Sequence, residues 1–168
     1  VGRCFHPAFS GETIPGLEAA LLRCRQLGLA ANLEIKPAEG FEAETGRVVG
    51  RLLAAAPSAG LPPLLLSSFS APALEAAALE METLPRAFLA THFDARALAT
   101  ARRLACVSLN LGRRGLQAAH VAVVSDAGLR TLVYTVNSPE EARRLAGWGV
   151  SGVFSDRPEL LLADGSLP

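Results

Sequence analysis

The chain has 168 residues with 16 basic and 16 acidic side chains; 50% of its residues are hydrophobic and 19% charged. That is one domain's worth of chain, 1–168, able to bury about two-thirds of the surface its unfolded form exposes and too apolar for disorder. Zero net charge removes the electrostatic ground for nucleic acid or an anionic membrane surface as partner, and no apolar run approaches the roughly 20 residues of a membrane span.

In chain order, Pro15, Leu17, Ala20, Leu21, Cys24 and Leu27 form an apolar stripe at helical spacing, with Gly28 as a natural stop. Leu29 to Ile35 reads as a short strand closed by Pro37, and residues 42 to 56 return to helix through Val48, Val49, Leu52 and Leu53. Leu64 to Ser68 is a second strand, 71 to 82 an alanine-rich helix, and Ala87 to Ala90 a weaker strand before a helix at 94 to 104. Cys106 to Leu109 is strand-like, and a helix follows at 115 to 127, ending at Gly128. Thr131 to Val136 is the clearest strand, β-branched and aromatic. A helix at 138 to 147 and a last strand at Gly152 to Ser155 complete the series.

Strands apolar throughout and separated by helices argue for parallel pairing with both faces covered. A doubly wound sheet and part of a (β/α)8 barrel both fit. No G-x-G-x-x-G follows any strand, which takes away the best support for a dinucleotide fold. No linker divides the chain and no internal repeat is visible.

Cys4, Cys24 and Cys106 are odd in number, widely spaced and form no CxxC pair. They read as packing residues in a reducing, cytoplasmic compartment rather than as a disulfide or zinc framework. Lys36 is the only lysine, a sign of GC-rich coding. The chain begins at Val1 and its single methionine is Met81, so the natural N-terminus is expected to lie upstream.

In either architecture function gathers at the C-terminal ends of the strands. The first strand closes with Asn32-Leu33-Glu34-Ile35-Lys36-Pro37, whose alternation puts Asn32, Glu34 and Lys36 on one face. In a barrel that face points inward, where a carboxylate and an ammonium two residues apart serve each other, a metal or an anion; the plainer alternative is an internal ion pair or a strand-end pair in solvent. Ser67-Ser68-Phe69 ends the second strand; its hydroxyls could meet an oxyanion, or Ser68 or Ser70 could cap the next helix. After Tyr134-Thr135-Val136, Asn137 or Ser138 is a good N-cap ahead of Pro139, and Tyr134 either packs or walls a ligand. Asp156 most simply caps a terminal helical turn. His6 and His92 fall in loops and His120 mid-helix, none at metal-ligand spacing, so all three read as surface or packing residues.

Gly11-Glu12-Thr13-Ile14-Pro15-Gly16-Leu17, Asn32 to Pro37, Leu66 to Phe69, Tyr134 to Asn137, and Gly149 to Pro158 follow one another in that order. Together they resemble the C-terminal two-thirds of a bacterial glycerophosphodiester phosphodiesterase of the cytoplasmic type, over essentially the whole chain. The resemblance implies a (β/α)8 TIM barrel, incomplete in this chain because its N-terminal strands are absent. It also implies hydrolysis of glycerophosphodiesters such as glycerophosphocholine to glycerol 3-phosphate and an alcohol, with a divalent cation, Ca2+ or Mg2+. Carried over motif by motif, Glu34 is a metal ligand, Lys36 holds a phosphate oxygen, and Ser68, Phe69, Tyr134 and Asn137 line the substrate pocket. Most members carry Trp where this chain has Tyr134, a change that keeps an aromatic wall.

The family's His-Arg-Gly segment, Glu-x-Asp pair and later His-Asp, which supply its catalytic histidines and most metal ligands, find no match here. No catalytic residue is therefore assigned, and His6, which falls beyond their place, does not inherit the role. A complete barrel takes about 250 residues. The chain alone is expected to lack acid–base catalysis and to leave unpaired strand edges. Six strands with the family's three unmatched ones make nine, which leaves the barrel membership of Ala87 to Ala90 open. The expected partner is a small-molecule phosphodiester, with no nucleic acid and no membrane, and a homo-oligomer is left open. A lysophospholipid substrate and a non-catalytic half-barrel that binds or assembles are the alternatives.

Overall fold

The computed structural model describes residues 2–56 and 60–163. Two single 3-10 turns, Gly2–Cys4 and Pro7–Phe9, precede α1 (Leu17–Gln26). Alternating elements follow: β1 (Ala31–Glu34), α2 (Glu42–Ala55), β2 (Leu64–Ser68), α3 (Ala71–Glu80), β3 (Arg86–Ala90) and α4 (Ala95–Arg103). The series ends with β4 (Ser108–Gly112), α5 (Ala118–Asp126), β5 (Arg130–Tyr134), α6 (Pro139–Gly147), β6 (Gly152–Val153) and α7 (Pro158–Ala163). The six strands form one parallel sheet in sequential order, β1 to β6. This is a half-barrel with a free edge at β1 and another at β6 among the described residues.

Local chemistry sets the helix starts. The hydroxyls of Ser70 and Ser138 accept from the backbone N–H groups of Ala73 and Glu141, and Pro occupies the first turn of both helices. Asp94 accepts from the Ala97 N–H in the same way. Each cap satisfies a helix N–H that has no intrahelical partner.

Residues in register across parallel strands share a face. Leu66, Leu109, Leu111 and Val133 face the helices and, with Leu53, Leu74, Val121, Val124 and Leu145, make the buried core. The opposite, inward face is polar in part. Glu34 stands beside Ser67, Ser67 beside Ala87, and Ala87 beside Ser108; Asn110 stands beside Leu132 and Gly112 beside Tyr134. Ser108 Oγ donates to Asn110 Oδ1 at 2.9 Å. Ser67 Oγ and Asn110 Nδ2 on this face, and Thr131 Oγ1 on the other, are buried without a hydrogen-bond partner.

Several boundaries differ from the sequence expectation. Arg86–Ala90 pairs with strands on both sides, so it is a full member of the sheet. The fourth strand runs from Ser108 to Gly112 rather than from Cys106 to Leu109. The Cys106 N–H is already bonded to the Ala101 carbonyl at 2.9 Å, which closes α4, and pairing on both sides carries the weak strand formers Asn110 and Gly112. The fifth helix starts at Ala118, not 115, because the chain first turns through Gly115 at φ +72°. The last strand keeps only Gly152 and Val153.

Candidate active site

The C-terminal ends of the strands bring the expected residues to one mouth of the half-barrel. Ile35 is buried in the core while Glu34, on the opposite face, is half-buried. Lys36 Nζ lies 3.6 Å from Glu34 Oε2, with the lysine side chain 78% exposed. The alternation read from the sequence therefore holds, and the two charges form an ion pair open to solvent. A hollow of about 580 Å³ lies beside it, bounded by Lys36, Pro37, Glu39 and Glu42 on one side and Ser68, Phe69 and Ser70 on the other.

Ser68 is fully buried and its hydroxyl is committed to the protein. It donates to the Ile35 carbonyl at 2.7 Å and accepts from the Ser70 N–H at 3.0 Å. It thus ties the end of β2 to the end of β1 and frames the hollow, while Ser70 is the helix cap. Phe69 is half-exposed and meets Tyr134 edge to face, ring centroids 6.0 Å apart. The Tyr134 hydroxyl donates to the Ala90 carbonyl at 2.8 Å. Burial raises the Tyr134 phenol above its ordinary pKa, and the nearby Glu34 carboxylate raises it further. Tyr134 is therefore both an aromatic wall and a fixed one, standing near Glu34.

Asn137 is not the helix cap, since Ser138 has that role. Its Oδ1 accepts from Ser155 Oγ at 3.0 Å and from the Asp156 N–H at 2.9 Å, and its Nδ2 donates to Asp156 Oδ2 at 3.4 Å. Asp156 was expected to cap the final helix; that helix starts two residues later, at Pro158, and the Asp156 side chain meets Asn137 instead. This cluster locks the loop after β5 to the loop after β6.

The three histidines have their own local partners, and His92 lines a hollow with Phe69. His6 caps the Pro7–Phe9 turn. His120 lies in the first turn of α5 rather than mid-helix, accepting from the Gln117 N–H at 3.3 Å and stacking on Phe93. His92 Nδ1 is 3.0 Å from Thr91 Oγ1, and its Nε2 is 3.7 Å from Asp94 Oδ2. All three cysteines are free thiols. Burial pushes the Cys106 thiol up to about 11, which suits a packing residue rather than a nucleophile.

Among the described residues no three His, Cys, Asp or Glu side chains come together as a metal-binding group. A calcium- or magnesium-sized ion takes about six or more oxygen ligands, so Glu34 is the right kind of donor but does not make a cation site alone. The sequence reading passed over Gly112-Arg113-Arg114-Gly115, which follows β4 at the same mouth. Two cations between two glycines are the sequence signal for this turn, and a strand ending at Leu109 would leave them three residues away from the mouth. Also among the described residues, no helix is long and apolar enough to cross a membrane.

Comparison with known proteins identifies the family. Residues 2–160 match the model of the glycerophosphoryl diester phosphodiesterase family. YhdW of Bacillus subtilis, named for a glycerophosphodiester phosphodiesterase, is 27% identical over 98% of this chain and 67% of its own. A phosphodiesterase of Oleispira antarctica, solved with its product sn-glycerol-3-phosphate, superposes with a TM-score of 0.84 at 30% identity, over 93% of this chain and 63% of its own. A Silicibacter pomeroyi protein named for the same activity shares the fold, with a TM-score of 0.75 at 21% identity over 98% of this chain and 64% of its own. The chain thus spans about two-thirds of the length of these relatives. With nearly every residue inside the match, and an acid–lysine pair beside an aromatic wall at the strand ends, the chain belongs to the glycerophosphoryl diester phosphodiesterase family.

Proposed function

We propose that this chain is the phosphate-holding part of an enzyme that hydrolyses glycerophosphodiesters, such as glycerophosphocholine, to glycerol 3-phosphate and an alcohol. The observation that carries the reading is the Glu34–Lys36 pair, 3.6 Å apart at the mouth of the half-barrel. Water adds to phosphorus, the bond from phosphorus to the alcohol oxygen breaks, and the departing oxygen takes up a proton. Charge grows on the phosphoryl oxygens as that happens. The Lys36 ammonium would hold one of them, which lowers the barrier by stabilising the growing charge. Phe69 and Tyr134 form the apolar wall against which the diester lies. Tyr134 is kept in place by its bond to Ala90.

Glu34 would offer one carboxylate to a hard divalent cation, calcium or magnesium, though no three His, Cys, Asp or Glu side chains among the described residues come together to hold one. When bound, such an ion supplies charge neutralisation at phosphorus. The test uses the full-length protein with glycerophosphocholine, the divalent cation and a stopped assay for free glycerol 3-phosphate. Glu34→Gln is expected to abolish hydrolysis, and Lys36→Met to slow it by about 100-fold or more, the scale of losing one charge-stabilising donor. Activity retained in Glu34→Gln would overturn the reading.

A further inference from the structure

The mouth carries a second cationic feature, well separated from Lys36. Arg113 and Arg114 follow β4 in a turn whose shape is closely set. A Cβ on Gly112 would lie 2.3 Å from the Thr91 carbonyl oxygen, and Gly115 takes φ +72°. The Arg113 N–H donates to the Tyr134 carbonyl at 2.9 Å, which fastens the turn to β5. Arg113, Arg114, Thr91, Tyr134, Thr135 and Asn137 enclose a hollow of about 360 Å³. No carboxylate lines it. Arg113 lies 3.5 Å from Glu141, but Glu141 is shared with Arg144 at 3.3 Å. Arg114 has no acidic partner among the described residues.

Lys36 follows β1 and this hollow follows β4, three strand spacings away in the sheet order, about 14 Å along the sheet. The hollow beside Lys36 and the hollow beside Arg114 share no lining residue, so a ligand that fills both brings a separate anionic group to each. Tyr134 borders the hollow and also stands near Glu34, so the two places are neighbours across that ring. We infer that the Arg113–Arg114 turn receives an anionic group, a carboxylate or a phosphate, on the alcohol half of the diester, with Arg114 as the specificity-determining residue. The inference rests on the proposed hydrolysis. It adds that the preferred diesters carry a second negative charge.

Glycerophosphoserine and glycerophosphoethanolamine differ by one carboxylate, so the ratio of their kcat/KM values isolates this subsite. In the full-length protein the serine diester is expected to be favoured by about 10- to 100-fold, the scale of a hydrogen bond to a charged group. Arg114→Gln should bring the ratio near unity and Arg114→Lys should restore part of it. Arg102→Gln, on the exposed side of α4, removes the same charge elsewhere and should leave the ratio alone. A terminal phosphate on glycerophosphoglycerol, compared with the unphosphorylated diester, tells whether phosphate replaces carboxylate. A ratio near unity in the unmodified protein for both pairs, or a loss in Arg114→Gln that is equal for both members of each pair, overturns the inference. If no diester is hydrolysed, the proposed function fails by itself. Equilibrium dialysis of glycerophosphoserine in EDTA then decides: binding lost in Arg114→Gln upholds the subsite, and binding absent or unchanged overturns it.

Discussion

Tyr134 is the only tyrosine in the chain, which makes its titration a clean report on the mouth. Its phenol is raised first by burial and then by the Glu34 carboxylate. Both act by disfavouring the phenolate, burial through lost solvation and Glu34 through like-charge repulsion. The sign for stability follows. Below the ordinary phenol value of about 10, folded and unfolded chains both hold the proton and nothing changes with pH. Above it, the unfolded chain releases the proton first, so stability falls as pH rises through the raised folded value. Replacing Glu34 by Gln removes the repulsive part and leaves the burial. The tyrosinate absorbance of Glu34→Gln is therefore expected to appear at lower pH than in the unmodified protein, though still above the free phenol value. A midpoint that does not move would mean that Glu34 and Tyr134 do not share one site.

At the scale of elements, the contact of α2 with α3 depends on missing side chains. Gly46 and Gly50 lie one turn apart on α2 and face Ala73 and Ala77 of α3, both buried. A Cβ on Gly46 would stand 2.1 Å from the Ala73 carbonyl oxygen, and one on Gly50 2.8 Å from that of Ala77. Backbone cannot swing aside as a side chain can. Gly46→Ala must therefore push the helices apart, losing about 1–3 kcal/mol or more against a propensity gain of about 1 kcal/mol. Gly147, also helical, has nothing within 4 Å of its would-be Cβ, so Gly147→Ala should be neutral or stabilising by up to about 1 kcal/mol. Urea unfolding of the two variants checks the pair, and equal effects would refute the close-packed reading. The helix α2 was legible in the sequence, but the reason for its glycines was not, because it lies in residues 27 positions further on. The same division runs through the molecule. Alternation, β-branched runs and the serines ahead of α3 and α6 are local signals, and they located the elements. The Glu34–Lys36 face was legible because strand alternation is local too. Asn137 to Asp156, Ser68 to Ile35, and Tyr134 to Ala90 join residues 19, 33 and 44 apart, and no local pattern encodes such partners. The end of β4 was missed for a related reason. Asn110 and Gly112 are poor strand formers by themselves, held there only by neighbours on both sides.

For the whole half-barrel, burial is graded across the sheet. In β4 four of the five residues are fully covered, and Leu109, Leu111 and Val133 have no exposed surface. The edge strand β1 has no residue fully buried within its span, and neither does β6. An edge strand has one hydrogen-bonded neighbour instead of two, so its amides open without breaking the centre. Hydrogen exchange is thus expected to be slowest in β2 to β5, each paired on both sides, and faster in β1 and β6. The Asn137 cluster modifies this order, because it fastens the β6 end to the loop after β5 through three hydrogen bonds. Leu161 of α7, 1% exposed, adds a hydrophobic anchor on that side. In Asn137→Ala the Ser151 and Phe154 amides, which donate to the Thr131 and Val133 carbonyls of β5, should exchange faster while those of β4 keep their rates. If β4 accelerates equally, opening is global rather than graded, and the loop cluster holds the whole sheet together instead of its β6 edge alone.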